Sequence, residues 1–286
     1  MSAGLVLSGE RKMENRVQQH LDAVTQLHMK GAIAPVSVIL FGSAASGAQS
    51  QTSDVDLILV VPENTPPEEK RLLRAAVTEL EVLHGLRLPE GPRKKALESF
   101  AEHAGGHAHA SFVCTRDDLI SGDAARIFGL RGTEAVFLER MFLGSVIVSA
   151  RTVGGEDLLG LVPLPSLRRL DVFKSLFRST GFILFCAAAY PLLREATRYA
   201  MSTLKHSLHS CYFCYHIGTA PLNDEVAFFS ARLGGDWTLR DLLRLRKEYR
   251  RSFAFVLGCV AVLFRLHWKT LRENGFPRAV VRALSQ

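Results

Sequence analysis

The 286-residue sequence predicts an α/β (α+β) domain with a mixed sheet, followed by an all-α helical bundle. Three observations predict it. Two apolar runs, Val36–Phe41 and Leu57–Val61, stand close together, joined by a loop of small polar residues, as two strands would be. From Ser166 onward apolar residues recur at helical spacing almost throughout. Charge divides at the same place: residues 166–286 hold 19 Lys and Arg against eight Asp and Glu, net +11, whereas residues 1–165 carry net −4. The boundary falls near Pro163–Ser166, where two prolines interrupt any regular element, giving domains 1–165 and 166–286.

Each element follows in order. Glu10–Lys30 reads as an amphipathic helix, not as a basic segment leading into an apolar signal. After the two strands, Pro62–Pro67 is a stop and a helix start; Pro66 and Pro67 suit a first turn and Glu68 and Glu69 its positive end. Leu72, Leu73, Ala76, Leu80 and Leu83 then recur on one helical side. Gly85–Lys95 is loop-like, and a short helix over Ala96–His103 ends at Gly105-Gly106. His107–Thr115 is the next strand, Arg116–Leu119 begins a helix, and a further apolar run, SVIVS, stands at Ser145–Ser149. The helical half divides into about 167–193, 197–217, 224–233, 239–273 and 277–284, the longest with a break near Gly258 and a cap at Thr238.

Composition bounds the class. Hydrophobic content of 48% with 22% charged residues is that of a globular chain and excludes long disorder. Five cysteines, an odd number in mainly apolar surroundings, point to reduced buried thiols and a cytoplasmic protein over a disulfide framework. The apolar runs Ser179–Leu193 and Phe253–Phe264 are shorter than the roughly 20 residues a spanning helix needs. Lys174, Arg178 and Arg194 flank the first, so buried bundle helices and no membrane are expected.

The chemistry concentrates between the first two strands. Asp54 and Asp56 share one face of a strand by its period of two, and two like charges that close call for a cation between them. The preceding strand ends in Gly42-Ser43, where backbone N–H groups and a hydroxyl can hold a phosphate and the missing Cβ lets it approach. A strand, Gly-Ser, a loop and Asp-x-Asp eleven positions on resembles the polymerase-β-like nucleotidyltransferase superfamily. The resemblance is specific over residues 36–61, looser to about 165, and architectural beyond.

That resemblance implies two divalent ions, Mg²⁺ or Mn²⁺, on Asp54 and Asp56, with Gly42, Ser43 and Ser53 holding the triphosphate of a nucleotide, ATP by family usage. It implies transfer of a nucleoside monophosphate, AMP, onto an acceptor hydroxyl with release of pyrophosphate. The acceptor is open: a small molecule, a protein or RNA. The family adds a third acid on a neighbouring strand, but His107–Val113 contains none; His107 and His109 stand where a third ligand or base would. That departure keeps an alternative in view, a catalytically weak or inactive nucleotide- or RNA-binding regulator on the same fold. Arg168, Arg169 and Lys174 are candidates for phosphate or acceptor contacts.

Two further clusters invite weighing. Lys205–His216 gathers His206, His209, Cys211, Cys214 and His216, but the Leu and aromatic interleaving is that of a packed bundle helix, and no second ligand pair is evident. Arg240, Arg244, Lys247 and Arg251 fall at helical spacing as one basic stripe, either a solvated face or a surface for RNA or a phosphorylated acceptor.

Overall fold

The computed structural model describes residues 15–27, 34–45, 55–86, 97–98, 101, 111–130 and 140–274. Two compact units emerge: Met1–Pro92 with His109–Ala135 and Ser149–Pro163, and Arg93–Ala108 with Val136–Val148 and Leu164–Gln286.

The first unit is a four-stranded sheet in the order β3-β2-β1-β4, with β1 Ser37–Phe41, β2 Asp56–Val61, β3 Ser111–Thr115 and β4 Arg151–Gly155. β1 pairs antiparallel with β2 and with β4, while β2 and β3 run parallel, so the sheet is mixed as expected. β1 and β2 read as unbroken apolar runs because both of their faces are covered. Val38, Leu40, Leu57, Leu59 and Val61 pack on one face with Val17, Leu21 and Val24 of α1 (residues 15–26) and Leu73 and Val77 of α2 (Pro67–Leu83). The rings of Phe41, Phe112 and Phe128 cluster with centroids 4.8–6.3 Å apart. Two short helices follow β3: α3 (Arg116–Ile120), opened by a Thr115–Asp118 capping box, and α4 (Ala124–Phe128).

α2 starts at Pro67 with Glu68 and Glu69 in its first turn, and its buried face is the expected one only in part: Leu73 is buried and Leu80 packs on the core. Leu72 and Leu83 are exposed, and Leu73, Val77 and Glu81 face inward. The buried Glu81 carboxylate accepts a hydrogen bond from the Ser111 hydroxyl at 2.9 Å, which ties α2 to the first residue of β3. Ahead of the expected boundary at Pro163–Ser166 the chain returns to the sheet, where Arg151–Gly155 forms the edge strand β4 on β1.

The second unit is helical: α5 (Arg140–Ser149), α6 (Arg169–Ala188), α7 (Ala196–His216), α8 (Leu222–Leu233), α9 (Trp237–Lys247) and α10 (Phe253–Glu273). The apolar run Ser145–Ser149 is the end of α5; its β-branched residues lie on a helix whose Gly144 stands against the Phe213 ring. A Cβ at Gly144 would come within 2.2 Å of Phe213 Cε1, so the glycine sets how closely α5 and α7 approach.

The long C-terminal helix breaks at 248–252, with a fresh cap at Ser252, and not at Gly258. Gly258 instead lets α9 approach α10, since a Cβ there would lie 2.6 Å from Thr238 Oγ1 and 2.8 Å from the Trp237 ring. The cap of α9 is Asp236, which accepts from the Thr238 N–H at 2.8 Å, two positions before the residue expected from sequence. Residues 97–98 and 101 excepted, the short helix expected at 96–103 and the one at 277–284 lie outside the described residues.

All five cysteines are buried thiols that form no disulfide. α10 has the length and apolarity of a membrane-crossing helix by composition, but half of its apolar window is buried inside the unit. It runs antiparallel to α6: Arg251, just ahead of it, donates to the Tyr190 and Leu193 carbonyls past the end of α6, and His267 near its far end meets Ser175.

That last contact has a pH consequence. The fully buried His267 ring has Nδ1 2.8 Å from the Leu263 carbonyl and Nε2 2.9 Å from Ser175 Oγ. A carbonyl only accepts, so Nδ1 carries the proton and Nε2 accepts from the serine hydroxyl. Burial, partly offset by the Leu263 carbonyl, lowers its pKa from 6.5 to about 4. His20 is also lowered to about 4, by burial and then by the neighbouring His84. Above pH 6.5 both states of the chain are neutral at these rings; as pH falls from 6.5 towards 4 the unfolded state takes up protons that the folded state refuses. Stability should therefore be full above pH 6.5 and fall through that window by up to about 3 kcal/mol per ring. Urea denaturation across pH 4–7 checks this, and His267→Gln should flatten the slope even where it lowers overall stability.

Candidate active site

The site forms where β1 ends and β2 begins. Antiparallel pairing sets Phe41 opposite Asp56, so the Gly42–Ala44 turn that follows β1 stands beside the carboxylate that opens β2. Gly42 adopts φ +72°, a left-handed conformation that glycine takes without the clash a Cβ would bring. The turn is tight against the carboxylate: a Cβ on Gly42 would lie 2.5 Å from Asp56 Oδ2 and 3.4 Å from its Cγ. The space a side chain would fill is thus occupied by the edge of the carboxylate, which is half-buried while every other residue of β2 is buried. Alternation along β2 puts Asp56 on the same face as Ile58 and Val60, and opposite to Leu57, Leu59 and Val61, which pack against α1 and α2.

Of the residues predicted from sequence, Gly42 and Asp56 are brought into contact distance, and the backbone of Ser43 belongs to the same turn. Asp54, Ser53, His107 and His109 lie outside the described residues. Arg168, Arg169 and Lys174 belong to the helical unit, at the cap and in the first two turns of α6, where the Arg168 N–H donates to Asp171 Oδ2 at 2.8 Å. Phe41 was missed: it sits across from Asp56, and its ring joins Phe112 and Phe128 as an apolar cluster on the carboxylate's strand face. The sequence signal for it was the position directly before Gly42.

The other clusters resolve into packing. Cys211 and Cys214 are buried on α7, with Cys214 Sγ donating to the Ser210 carbonyl; the His216 ring stacks on Tyr212 at 4.2 Å. His209 Nδ1 stands 2.7 Å from Glu225 Oε2 of α8. Among the described residues no three His, Cys, Asp or Glu side chains group as metal ligands. The expected basic stripe is interrupted, because α9 ends at Lys247 and Arg251 lies over the Tyr190 ring at 4.6 Å.

A mixed sheet carrying a glycine turn against a strand-leading aspartate defines a nucleotidyltransferase fold. Comparison with known proteins agrees: the family model described as a nucleotidyltransferase domain matches residues 17–95. Residues 17–95, the part of the chain that holds β1, β2 and α2, are thus similar to a nucleotidyltransferase domain. The solved structure of spectinomycin adenyltransferase AAD(9) from Enterococcus faecialis, with ATP and spectinomycin, is similar at a TM-score of 0.50 and 10% identity, over 91% of this chain and 98% of that one. At that identity the likeness is one of fold. No curated protein matches the sequence.

Proposed function

We propose that the protein is a metal-dependent nucleotidyltransferase that moves AMP from ATP onto an acceptor hydroxyl and releases pyrophosphate. The observation that carries this reading is the Asp56 carboxylate seated against the side-chain-free Gly42 turn, within a matched nucleotidyltransferase domain. The donor chemistry fits divalent ions: Asp56 offers hard oxygen ligands, and Asp54, two residues before it, supplies the second carboxylate. Mg²⁺ or Mn²⁺ held there would lower the charge on the triphosphate and the pKa of the acceptor hydroxyl.

The chain's own residues do the rest. Gly42 and Ser43 offer backbone N–H groups to the β- and γ-phosphates, with Ser53 orienting the loop that returns to β2. The fixed pairing of Phe41 with Asp56 keeps carboxylate and phosphate turn in one register, so the α-phosphate is presented for in-line attack. His107 or His109 serves as third ligand or base, taking the acceptor's proton. Residues 1–165 act as the catalytic domain and the basic residues 166–286 as the acceptor-binding domain, with Arg168, Arg169 and Lys174 giving positive charge for phosphate or acceptor. The ATP-bound adenyltransferase of like fold supports adenylyl transfer over other nucleotides. The protein works in the cytoplasm on an acceptor that is a small molecule, a protein or RNA.

The test incubates the protein with each α-labelled nucleoside triphosphate, with Mg²⁺, with Mn²⁺ and with chelator, and measures pyrophosphate. Metal-dependent release that is greatest with ATP supports the reading. Nucleotide binding without turnover under either metal replaces it with the regulator.

A further inference from the structure

One face of α10 is apolar and open. Phe253, Leu257, Phe264 and Trp268 are each about half exposed, between 45% and 54%, on a helix whose opposite side is fully buried. Their spacing follows the helical repeat, a single stripe. Phe264 and Trp268 stack with nearly parallel rings, centroids 6.1 Å apart, and Trp237 of α9, 47% exposed, lies against Gly258 and widens the face.

We propose that this face is the interface by which two copies of the chain form a two-fold symmetric dimer, α10 packing antiparallel on α10. The stripe is self-complementary about its centre. Phe253 and Trp268 lie equally far from the midpoint between Val260 and Ala261, and so do Leu257 and Phe264. A two-fold axis through that midpoint sets Phe253 of one copy level with Trp268 of the other, and Leu257 level with Phe264. Such reciprocity is what an isologous interface requires. Ala261, exposed at the centre, leaves room for the helices to approach at the roughly 8–10 Å of ordinary helix packing.

Charge and area favour the same occupant. No charged residue interrupts α10 from Phe253 to Phe264. Arg265 is tied to Asp236 Oδ2 at 2.8 Å and to the Leu233 carbonyl, and Lys269 pairs with Glu273 at 3.2 Å. The stripe thus has little to offer an acidic or basic partner and matches an equally uncharged one. Aromatic side chains cover about 150–250 Å² each, so four rings near half exposure with Leu257 present on the order of 400–500 Å². That matches the largest single apolar patch of a typical chain, roughly 300–600 Å², the size that is often functional, and would supply about half of a standard interface of about 800 Å² per partner, as its apolar core.

The experiment is sedimentation equilibrium of the full chain across a concentration series. The expected result is a concentration-dependent species of twice the chain mass. Leu257→Glu and Phe264→Lys, singly, should each weaken the dimer by about 100-fold or more, because each buries a charge facing an apolar side chain. The chain carrying both substitutions should recover association, since the acid introduced at Leu257 of each copy then faces the base introduced at Phe264 of the other. Ala261→Glu, at an exposed position outside its own chain's core, should dissociate the dimer with circular dichroism unchanged and with the melting temperature that the wild-type chain shows at concentrations where it is itself monomeric. A monomer at every concentration overturns the proposal, as does a dimer indifferent to all three single changes. A double variant no better than its parents overturns the antiparallel register, and partition of monomers onto lipid vesicles replaces the second copy with a membrane.

Discussion

Replacing Asp56 with alanine is expected to lower nucleotidyl transfer by about 10³-fold or more while leaving the chain folded. On the proposed mechanism, loss of this carboxylate removes several kcal/mol of charge stabilisation in the transition state, and nothing else on β2 can replace it, because Leu57–Val61 are all buried and apolar. The fold should survive because the core of β2 belongs to those five residues, whereas Asp56 opens the strand and is only half-buried. Its removal is expected to change stability by about 1 kcal/mol or less. Pyrophosphate release reports the first effect and urea denaturation the second. A thermal shift gives a third readout: any stabilisation by ATP with Mg²⁺ should vanish in Asp56→Ala. Wild-type turnover in that variant would remove Asp56 from the chemistry and with it the proposed mechanism.

What the sequence disclosed follows from where the physics is local. β1 and β2 were legible because strands covered on both faces are continuous apolar runs, and Gly42 and Asp56 because turn and strand chemistry leave a fixed spacing. The rotation of α2 was not legible. Leu72 and Leu83 complete a helical stripe as well as Val77 does, and the choice is made by Glu81, whose burial depends on Ser111 thirty residues away. Hydropathy reads a glutamate as outward. The element type of the apolar run Ser145–Ser149 was not legible for a related reason: a short β-branched run suits a strand, and the packing of its helix, Gly144 against Phe213, is long-range. Gly258 looked like a helix breaker but is a contact residue, and the true break was marked more quietly by Ser252, whose hydroxyl accepts from the Phe255 N–H. In the site, spacing singled out Gly42 and Asp56; it could not announce that they approach so closely that a methyl group has no room.

That closeness makes Gly42→Ala the sharpest test of the site's construction. The substitution meets two separate obstacles. An alanine at φ +72° costs about 1–2 kcal/mol wherever it sits, because its Cβ crowds the carbonyl. Here the same Cβ also falls 2.5 Å from Asp56 Oδ2, so either the carboxylate rotates away or the turn moves. The variant should therefore lose about 2–3 kcal/mol of stability in total. It should also lose about 10²-fold in transfer, as expected when a catalytic group is displaced by about 1 Å. The two obstacles separate in a double-mutant cycle. With Asp56→Ala the oxygen is gone and the nearest remaining atom is Cβ, 3.7 Å from the new methyl, an ordinary contact. In that background Gly42→Ala should cost only the backbone part, leaving a coupling of about 1 kcal/mol between the positions. Denaturation of the four proteins measures it. Strictly additive costs would mean that turn and carboxylate do not touch in solution, and the juxtaposition on which the catalytic reading stands would be lost.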